Sequence, residues 1–300
     1  MGVSAHIKRA VFPLPGGSDG ATVKVHPMVG GEMKAPPQLW DRGGRASTAT
    51  LRALAGSRAK WITLPIPTFL IEHPTAGPIL VDTAFDASVA ERPRRSLGRR
   101  MAAMYKVEMT AADAIPAQLR ARGIEPDTVR TVIMTHLHYD HASGIEQFPG
   151  ATFLVDRAEW DAAGSGAFTK GYRAAHYDRA YDWRYVDFAS REIDSYASFG
   201  RTVDVLGDGS IRLLSTPGHT EGHMSVLVRL AGGELLITGD AAYARRTIER
   251  RLVPLFLADS VHTYLRSLDE IAHYTRLEPD AIVLCGHDPW ERAALDRSYT

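Results

Sequence analysis

The chain has 300 residues, of which 45% are hydrophobic, so it can bury a full core as one large domain or two small ones. Its 35 lysines and arginines equal its 35 aspartates and glutamates in number, which gives a formal net charge of +0. The sequence also has no long run of charged residues of one sign. A nucleic-acid or anionic-membrane partner therefore has no electrostatic support, and we do not expect a polyanionic substrate.

The cysteine content and the N-terminus bear on where the protein works. The one cysteine, Cys285, rules out a framework of intrachain disulfides and follows an apolar run, so we expect a small buried core residue. No stretch of the N-terminus has the basic flank and apolar core of a signal peptide, and no apolar run approaches the roughly 20 residues that cross a bilayer. We therefore expect a cytoplasmic protein that does not enter a membrane.

Residues 1–60 are interrupted by glycines and prolines, and they predict an initial strand followed by a long irregular loop. Apolar alternation then predicts a hairpin of two strands, at 62–71 and 78–82, across the turn Thr75-Ala76-Gly77. The hairpin ends in Asp82. We expect its carboxylate to hydrogen-bond backbone amides or histidines beneath a site rather than to be a ligand itself.

The next part of the chain alternates helices and strands. A helix is predicted from Thr110, a candidate N-cap, through about residue 122, with Gly123 as its stop. Strands follow at 129–134 and 151–155, and a short helix at 158–163. This order is typical of a sheet with helices packed outside it.

Residues 164–198 break the alternation and are rich in aromatic side chains without a strict period. A long loop of this composition is predicted either to form a lid or pocket wall, or to anchor an insertion to the body of the protein. The aromatic residues are Phe168, Tyr172, Tyr177, Tyr181, Trp183, Tyr185, Phe188 and Tyr196.

The second half again predicts strands that end in tight turns. Strands at 211–216, 224–230 and 234–238 precede a helix at 259–277 and a last buried strand at 281–285. The order of elements in the two halves fits two sheets with helices outside them.

The most informative stretch is Thr135-His136-Leu137-His138-Tyr139-Asp140-His141, which places three imidazoles and a carboxylate at the end of a predicted strand. Because side chains alternate along extended backbone, His136 and His138 point to the same side. Asp140 and His141 lie just past the turn and can face a second point nearby. The stretch therefore predicts two metal positions side by side.

A surface loop that is rich in histidine by chance is the alternative, and such a loop would need no partners. A catalytic zinc site needs about three protein ligands for each metal and an open position for water or substrate. Four ligands cannot complete two metals, so isolated ligands are expected later in the chain. Candidates that follow β-rich runs beside glycine are His219, Asp240 and His287.

This ordered set resembles the metallo-β-lactamase superfamily, whose members are αββα sandwiches with a dinuclear metal site at one edge of the sheets. The resemblance implies a single α/β domain over residues 1–300, with two mixed β-sheets flanked by helices. The ligands that the resemblance implies are, for one metal, His136, His138 and His219, for the other, Asp140, His141 and His287, and for the bridge, Asp240. In this superfamily His223 resembles a structural hydrogen-bonding residue rather than a ligand.

Within the superfamily, residues 64–288 resemble the N-acyl-homoserine lactonases, which are quorum-quenching enzymes. The resemblance rests on Gly77-Pro78-Ile79-Leu80-Val81-Asp82-Thr83, on the form of the histidine motif, on Gly239-Asp240-Ala241-Ala242-Tyr243 and on Gly286-His287-Asp288. A tyrosine at the position of Tyr243 points its hydroxyl at the substrate carbonyl in this family. An ordinary core tyrosine is the alternative.

Two residues depart from the family pattern. Ala84 stands where glycine is usual, and Tyr139 stands where phenylalanine is common. Neither departure removes a ligand. Since pocket walls come from loops rather than from ligands, these differences and the aromatic segment bear on acyl-chain specificity.

The resemblance implies that a hydroxide bound to two divalent metal ions attacks the carbonyl of a small lactone substrate. Zinc suits the histidine and aspartate ligands, and iron, cobalt or manganese are the alternatives. Tyr243 would stabilise the oxyanion, and Asp140 would carry the proton to the leaving oxygen. A homodimer is compatible with this interpretation.

Other functions are less well supported by the sequence. The main alternative is another hydrolase of the same fold, acting on a different lactone, ester, thioester or β-lactam, which would give Tyr243 no task. A di-iron redox enzyme would need a carboxylate in place of one motif histidine and a flavin partner domain. A nuclease would need a basic stripe, and a non-catalytic binding module would not need so complete a ligand set.

Overall fold

The computed structural model describes residues 4–43, 45, 47–48, 56–99, 102, 105–164, 170–255 and 260–300. Parts of the predicted segments 1–60 and 164–198, including Phe168, lie outside these ranges, as does Asp259 at the start of the predicted last helix.

The strands of the described ranges are β1 Ile7–Arg9, β2 Lys24–Ala35, β3 Ile62–His73, β4 Gly77–Val81, β5 Lys106–Glu108, β6 Thr131–Ile133, β7 Thr152–Asp156, β8 Asp182–Val186, β9 Asp194–Tyr196, β10 Phe199–Asp204, β11 Ile211–Ser215, β12 Met224–Leu230, β13 Gly233–Ile237 and β14 Ile282–Leu284.

The α-helices of the same ranges are α1 Pro93–Ser96, α2 Ile115–Ala121, α3 Tyr139–Ala142, α4 Arg157–Gly164, α5 Ala174–Tyr177, α6 Arg245–Arg250 and α7 Val261–Leu277. Short 3-10 helices are Pro37–Leu39, Arg58–Lys60, Ala87–Val89, Ala111–Asp113, Pro126–Thr128, Ser143–Gln147, Gly239–Ala241 and Arg292–Leu295. No helix among the described residues combines the length and the apolar character that crossing a lipid bilayer requires.

The strands form two mixed sheets. In the described residues the large sheet has the order β1-β8-β7-β6-β4-β3-β2-β5, and the small sheet has the order β14-β13-β12-β11-β10-β9. In the large sheet β4, β6, β7, β8 and β1 run parallel, whereas β3 pairs antiparallel with both β2 and β4. The large sheet is also extended by one bridge near the end of the chain, where Tyr299 pairs with Val25.

The core lies in three apolar layers because neighbouring side chains of a strand point to opposite faces. On β4, Ile79 and Val81 pack between the sheets, while Leu80 packs on the outer face with α2 and α4. On β13, Leu235 packs between the sheets, while Leu236 packs under α7. The predicted sandwich of two mixed sheets between helices is therefore confirmed.

In the described part of residues 1–60 the expected initial strand is present as β1, but the interpretation of the following residues as a long irregular loop is wrong. β2 is twelve residues long and pairs with β3 and β5. The glycines at positions 30 and 31 fall where the register of β2 and β3 shifts, between Val29 and Glu32. A β-bulge absorbs this irregularity, so the glycines bend the strand and do not end it.

The long-loop interpretation of residues 164–198 is also wrong for the described part. The segment contains α5, β9 and β8, and β8 pairs parallel with both β7 and β1 inside the large sheet. Trp183 of β8 and Tyr177 of α5 are fully buried in the core. Their aromatic rings anchor this stretch to the outer face of the sheet.

Candidate metal site

The predicted site residues lie at strand ends on one edge of the sandwich. β6 ends at Ile133, and the chain reaches His136 and then α3, which carries Asp140 and His141. In the small sheet, His219 follows β11, Asp240 follows β13 and His287 follows β14. These six side chains are buried, and that of the remaining ligand candidate, His138, is half-buried.

A first group of ligand atoms comes from His136, His138 and His219, which lie within 4.8 Å of one another. His219 Nε2 is 2.9 Å from His138 Nδ1. Burial lowers the pKa of His136 and of His219 well below the usual histidine value, and it lowers the pKa of His138 to about 4. The rings are therefore neutral near pH 7, and each has a nitrogen lone pair for a metal ion.

A second group comes from Asp140, His141 and His287. His141 Nε2 is 3.3 Å from His287 Nε2, and His287 Nε2 is 3.6 Å from Asp140 Oδ2. Burial alone would lower the pKa of His141, but the charges of Asp240 and Asp82 raise it well above its usual value. An ion that binds here must displace that proton.

Asp240 lies between the two groups. Its Oδ2 is 3.2 Å from His219 Nε2, and its Oδ1 is 3.1 Å from His287 Nε2 and 3.4 Å from His141 Nε2. Each carboxylate oxygen therefore faces a different group of ligand atoms, as a bridging carboxylate requires.

The residues present fit a pair of divalent ions. His136 Nε2 is buried and has no hydrogen-bond partner among the described residues, although such an atom is normally satisfied. Nitrogen and oxygen ligands about 2.0–2.1 Å from a tetrahedral ion lie about 3.3 Å apart, which is close to the spacings seen here. The donor chemistry suits zinc and related metals.

Hydrogen bonds beneath the site orient the ligands of the second group. Asp82 accepts hydrogen bonds from the Thr135 amide at 2.7 Å and from the Thr135 hydroxyl at 2.8 Å, and its Oδ2 is 2.8 Å from His141 Nδ1. His287 Nδ1 is 2.9 Å from the carbonyl oxygen of Pro65. Because these partners hold Nδ1–H, both rings present Nε2 to the metal position. The predicted hydrogen-bonding role of Asp82 agrees with these contacts.

His223 lies outside the groups of candidate ligands, as predicted. Its Nε2 accepts a hydrogen bond of 2.9 Å from the Asp240 amide, and its Nδ1 is 2.9 Å from the Thr216 hydroxyl. The ring fixes the backbone that carries Asp240.

Tyr243 lies beside the ligand atoms and is buried. Its hydroxyl is 3.3 Å from His219 Nδ1, and its ring centroid is 5.6 Å from that of His287. Burial and then the charge of Asp240 raise the pKa of Tyr243 well above its usual value. The hydroxyl is therefore protonated at neutral pH and can donate a hydrogen bond.

Sequence reasoning missed Glu159, which is fully buried on α4. Its Oε1 accepts a hydrogen bond of 2.8 Å from the Leu137 amide, inside the histidine motif. A signal was present in the sequence: Glu159 has the helical spacing of Ala162 and Ala163, both buried, and so shares their inward face.

The fold and the donor set define a class of protein, and the chain belongs to the metallo-β-lactamase superfamily. The family described as metallo-beta-lactamase superfamily matches it over residues 61–287, which include every candidate ligand.

Comparison with individual proteins narrows the similarity to one group within this superfamily. The N-acyl homoserine lactonase AttM of Agrobacterium fabrum is 36% identical over 230 residues, 75% of this chain and 82% of that protein. An N-acyl homoserine lactonase of a Bacillus species is 30% identical over 230 residues, 76% of this chain and 82% of that protein.

A solved N-acyl homoserine lactone hydrolase, with the product N-hexanoyl-L-homoserine bound at its catalytic metal centre, superposes on the chain with a TM-score of 0.73. It is 24% identical, and the match covers 93% of this chain and 100% of that one. At this level of identity the superposition establishes a shared fold.

Proposed function

We propose that the protein is a metal-dependent hydrolase that opens the lactone ring of N-acyl-homoserine lactones. The observation that carries the proposal is the protonated hydroxyl of Tyr243, held beside a buried donor set that fits two ions. Relatives with 36% identity over three quarters of the chain are named N-acyl homoserine lactonases, which supports the same substrate class.

The proposed ligands fall into the two groups described above. The ligands of one ion are His136, His138 and His219, those of the other are Asp140, His141 and His287, and Asp240 lies between the two. Zinc is the ion that this set of imidazoles and carboxylates suits best. When bound, divalent ions supply Lewis acidity and lower the pKa of a bound water toward about 7.

Tyr243 stabilises the oxygen of the substrate carbonyl as negative charge develops on it. With His219 Nε2 among the candidate ligand atoms, its Nδ1 would carry the proton and donate to the Tyr243 hydroxyl oxygen at 3.3 Å. That leaves the Tyr243 O–H free to donate to the substrate. One such donor is worth about 3 kcal/mol in a site from which water is excluded.

Asp140 moves the proton. The carbonyl carbon gains an oxygen from water and loses its bond to the ring oxygen, which leaves as an alkoxide. Asp140, whose side chain is 9% exposed compared with 3% for Asp240, is the more accessible of the two carboxylates for accepting the water proton and passing it to that alkoxide. The product is an open N-acyl-homoserine with a new carboxylate.

The test compares the wild type with Tyr243→Phe in pH-stat assays of short- and long-chain acyl-homoserine lactones, using metal-loaded protein. We expect the variant to be slowed about tenfold or more, roughly 1.4 kcal/mol, without loss of metal. Tyr177→Phe is the matched control, because that buried tyrosine donates to the Ala163 carbonyl at 3.1 Å, away from the ligands.

A β-lactam, a thioester and a phosphodiester are assayed in parallel. If the lactones stay closed while one of these turns over, the protein is a different hydrolase of the same superfamily. Wild-type rates in Tyr243→Phe would remove that side chain from the mechanism even if lactones open.

A further inference from the structure

The carboxylate of Glu159 is buried with no exposure to solvent. Its Oε1 accepts a hydrogen bond from the Leu137 amide at 2.8 Å, and its Oε2 accepts one from the Gly222 amide at 3.3 Å. A carboxylate can satisfy both donors at once because each oxygen is an acceptor.

The two amides belong to the two segments that carry the three-histidine group. Leu137 lies between His136 and His138, after a strand of the large sheet, and Gly222 lies three residues past His219, after a strand of the small sheet. Glu159 therefore joins the segments that must come together before the three imidazoles can share one ion.

The second segment lies directly against the start of α4. A Cβ atom at Gly222 would be 2.1 Å from the Glu159 backbone nitrogen and 2.7 Å from Asp156 Oδ1. Contacts this short leave room only for glycine. This close approach involves the backbone of Glu159, whereas the hydrogen bonds involve its side chain, and both hold the Gly222 segment against the start of α4.

Packing alone does not account for a glutamate here. An apolar side chain would fill the space, but it would leave two buried amides unsatisfied, and burying an ionisable carboxyl group is itself costly. A glutamine offers one acceptor oxygen and would direct its NH₂ group at the second amide. Of these side chains, the carboxylate alone accepts from both segments.

We propose that Glu159 is a positioning residue for the ion held by His136, His138 and His219, acting through the Leu137 and Gly222 amides. This inference rests on the proposed function only in requiring that the protein bind metal. Groups that orient metal ligands typically change metal affinity 10–100-fold when they are replaced.

The test measures zinc stoichiometry and affinity by competition with a chromophoric chelator, together with the visible spectrum of the cobalt(II) form. We expect Glu159→Gln to keep one ion at wild-type affinity and to bind the other at least tenfold more weakly, with an altered cobalt spectrum.

The matched control is Glu234→Gln. Glu234 also accepts two hydrogen bonds, from the hydroxyls of Tyr196 and Tyr274, but it lies on β13 away from the ligands. Its variant should lose thermal stability and keep wild-type zinc affinity and cobalt spectrum.

Wild-type affinity for both ions in Glu159→Gln would overturn the inference and leave Glu159 a structural residue. If Glu159→Gln does not fold, Gly222→Ala tests the same contact between the Gly222 segment and α4. Two tightly bound zinc ions in Gly222→Ala would likewise overturn the inference. Absence of metal binding in the wild type would instead refute the proposed function.

Discussion

At the scale of single residues, Ala84 shows how a departure from a family pattern is accommodated. Its φ of 50° is in the left-handed region, which costs an alanine roughly 1–2 kcal/mol compared with glycine. Its methyl group is fully buried, and a Cβ atom built at Gly30 would lie 2.3 Å from it. The methyl group thus occupies space that the glycine of the β2 bulge leaves open, and the two positions are coupled.

The coupling predicts a non-additive pair of substitutions. Gly30→Ala should lower the free energy of unfolding by about 1–3 kcal/mol because its methyl group collides with that of Ala84. In an Ala84→Gly background the same change should cost less than about 1 kcal/mol, since the collision is gone. Urea denaturation of the two single variants and the double variant measures both costs, and equal costs in the two backgrounds would rule out the coupling.

How far the site could be predicted depended on whether a residue stands at a strand end. His219, Asp240 and His287 could be found because each follows a buried β-rich run, and their meeting at one edge follows from sheet geometry. Glu159 was missed because a lone acidic residue in a short helix usually faces solvent. The role of Glu159 is visible only from its hydrogen-bond partners, which are two backbone amides distant in sequence. Every residue other than proline has such an amide, so the sequence does not show which ones a side chain will contact.

At the scale of elements, the N-terminus of α4 contains a buried acid. Asp156 Oδ1 accepts a hydrogen bond of 2.5 Å from the Ala158 amide, which caps the helix. Burial nevertheless raises the pKa of Asp156 from 3.8 to about 7. Its carboxyl group therefore binds its proton more tightly in the folded protein than in the unfolded chain.

This shift gives stability a pH dependence of known sign. The pKa of Asp156 in the folded protein lies above its value in the unfolded chain. Its contribution to the unfolding free energy is therefore fully present below about pH 4 and is lost as the pH rises through about 7. We expect the unfolding free energy of the wild type, relative to Asp156→Asn, to fall by roughly 2–3 kcal/mol between pH 5 and pH 8. The asparagine still accepts from the Ala158 amide but does not titrate. Urea denaturation across this range tests the expectation, and parallel pH profiles would contradict it.

Helices and strands could be predicted from the periodicity of apolar residues. The predictions failed where a proline or glycine did not end the element in which it lies. The helix expected over 110–122 is a 3-10 turn with a Thr110–Asp113 capping box, followed by α2 with a proline in its first turn. Thr110 and Gly123 marked the two ends correctly, but Pro116 restarts the helix inside them. In β2 the paired glycines resembled a loop, although they form a bulge within a continuous strand.

At the scale of the whole molecule, the candidate metal site lies across the boundary between the sheets. The ligands of the histidine motif follow β6 of the large sheet, whereas His219, Asp240 and His287 follow strands of the small sheet. Bound ions would connect the two sheets at this edge, in addition to the apolar packing between the sheets and the hydrogen bond of 2.9 Å from the Met224 amide to the Thr135 carbonyl.

Metal binding is therefore expected to stabilise the fold. Zinc at a free concentration of 100 times its Kd should add about 2.7 kcal/mol to the unfolding free energy, and a chelator should reverse the gain. Differential scanning calorimetry with and without zinc measures the change in Tm. His138→Asn should lose much of the zinc-dependent shift, whereas His176→Asn should keep it, because that buried histidine faces the Ser96 carbonyl at 2.9 Å. An unchanged zinc shift in His138→Asn would contradict the assignment of that ligand.

The bridge between Val25 and Tyr299 has a consequence for biosynthesis. The two residues exchange both of their backbone hydrogen bonds at 2.9 Å, although almost the whole chain separates them. A ribosome adding about 5–20 residues per second delivers Tyr299 roughly ten seconds to a minute after Val25. Throughout that interval β2 lacks its last neighbour. This edge of the sandwich can close only after translation has passed the bridge, so exposure of β2 to chaperones or to a second nascent chain is set by the speed of synthesis.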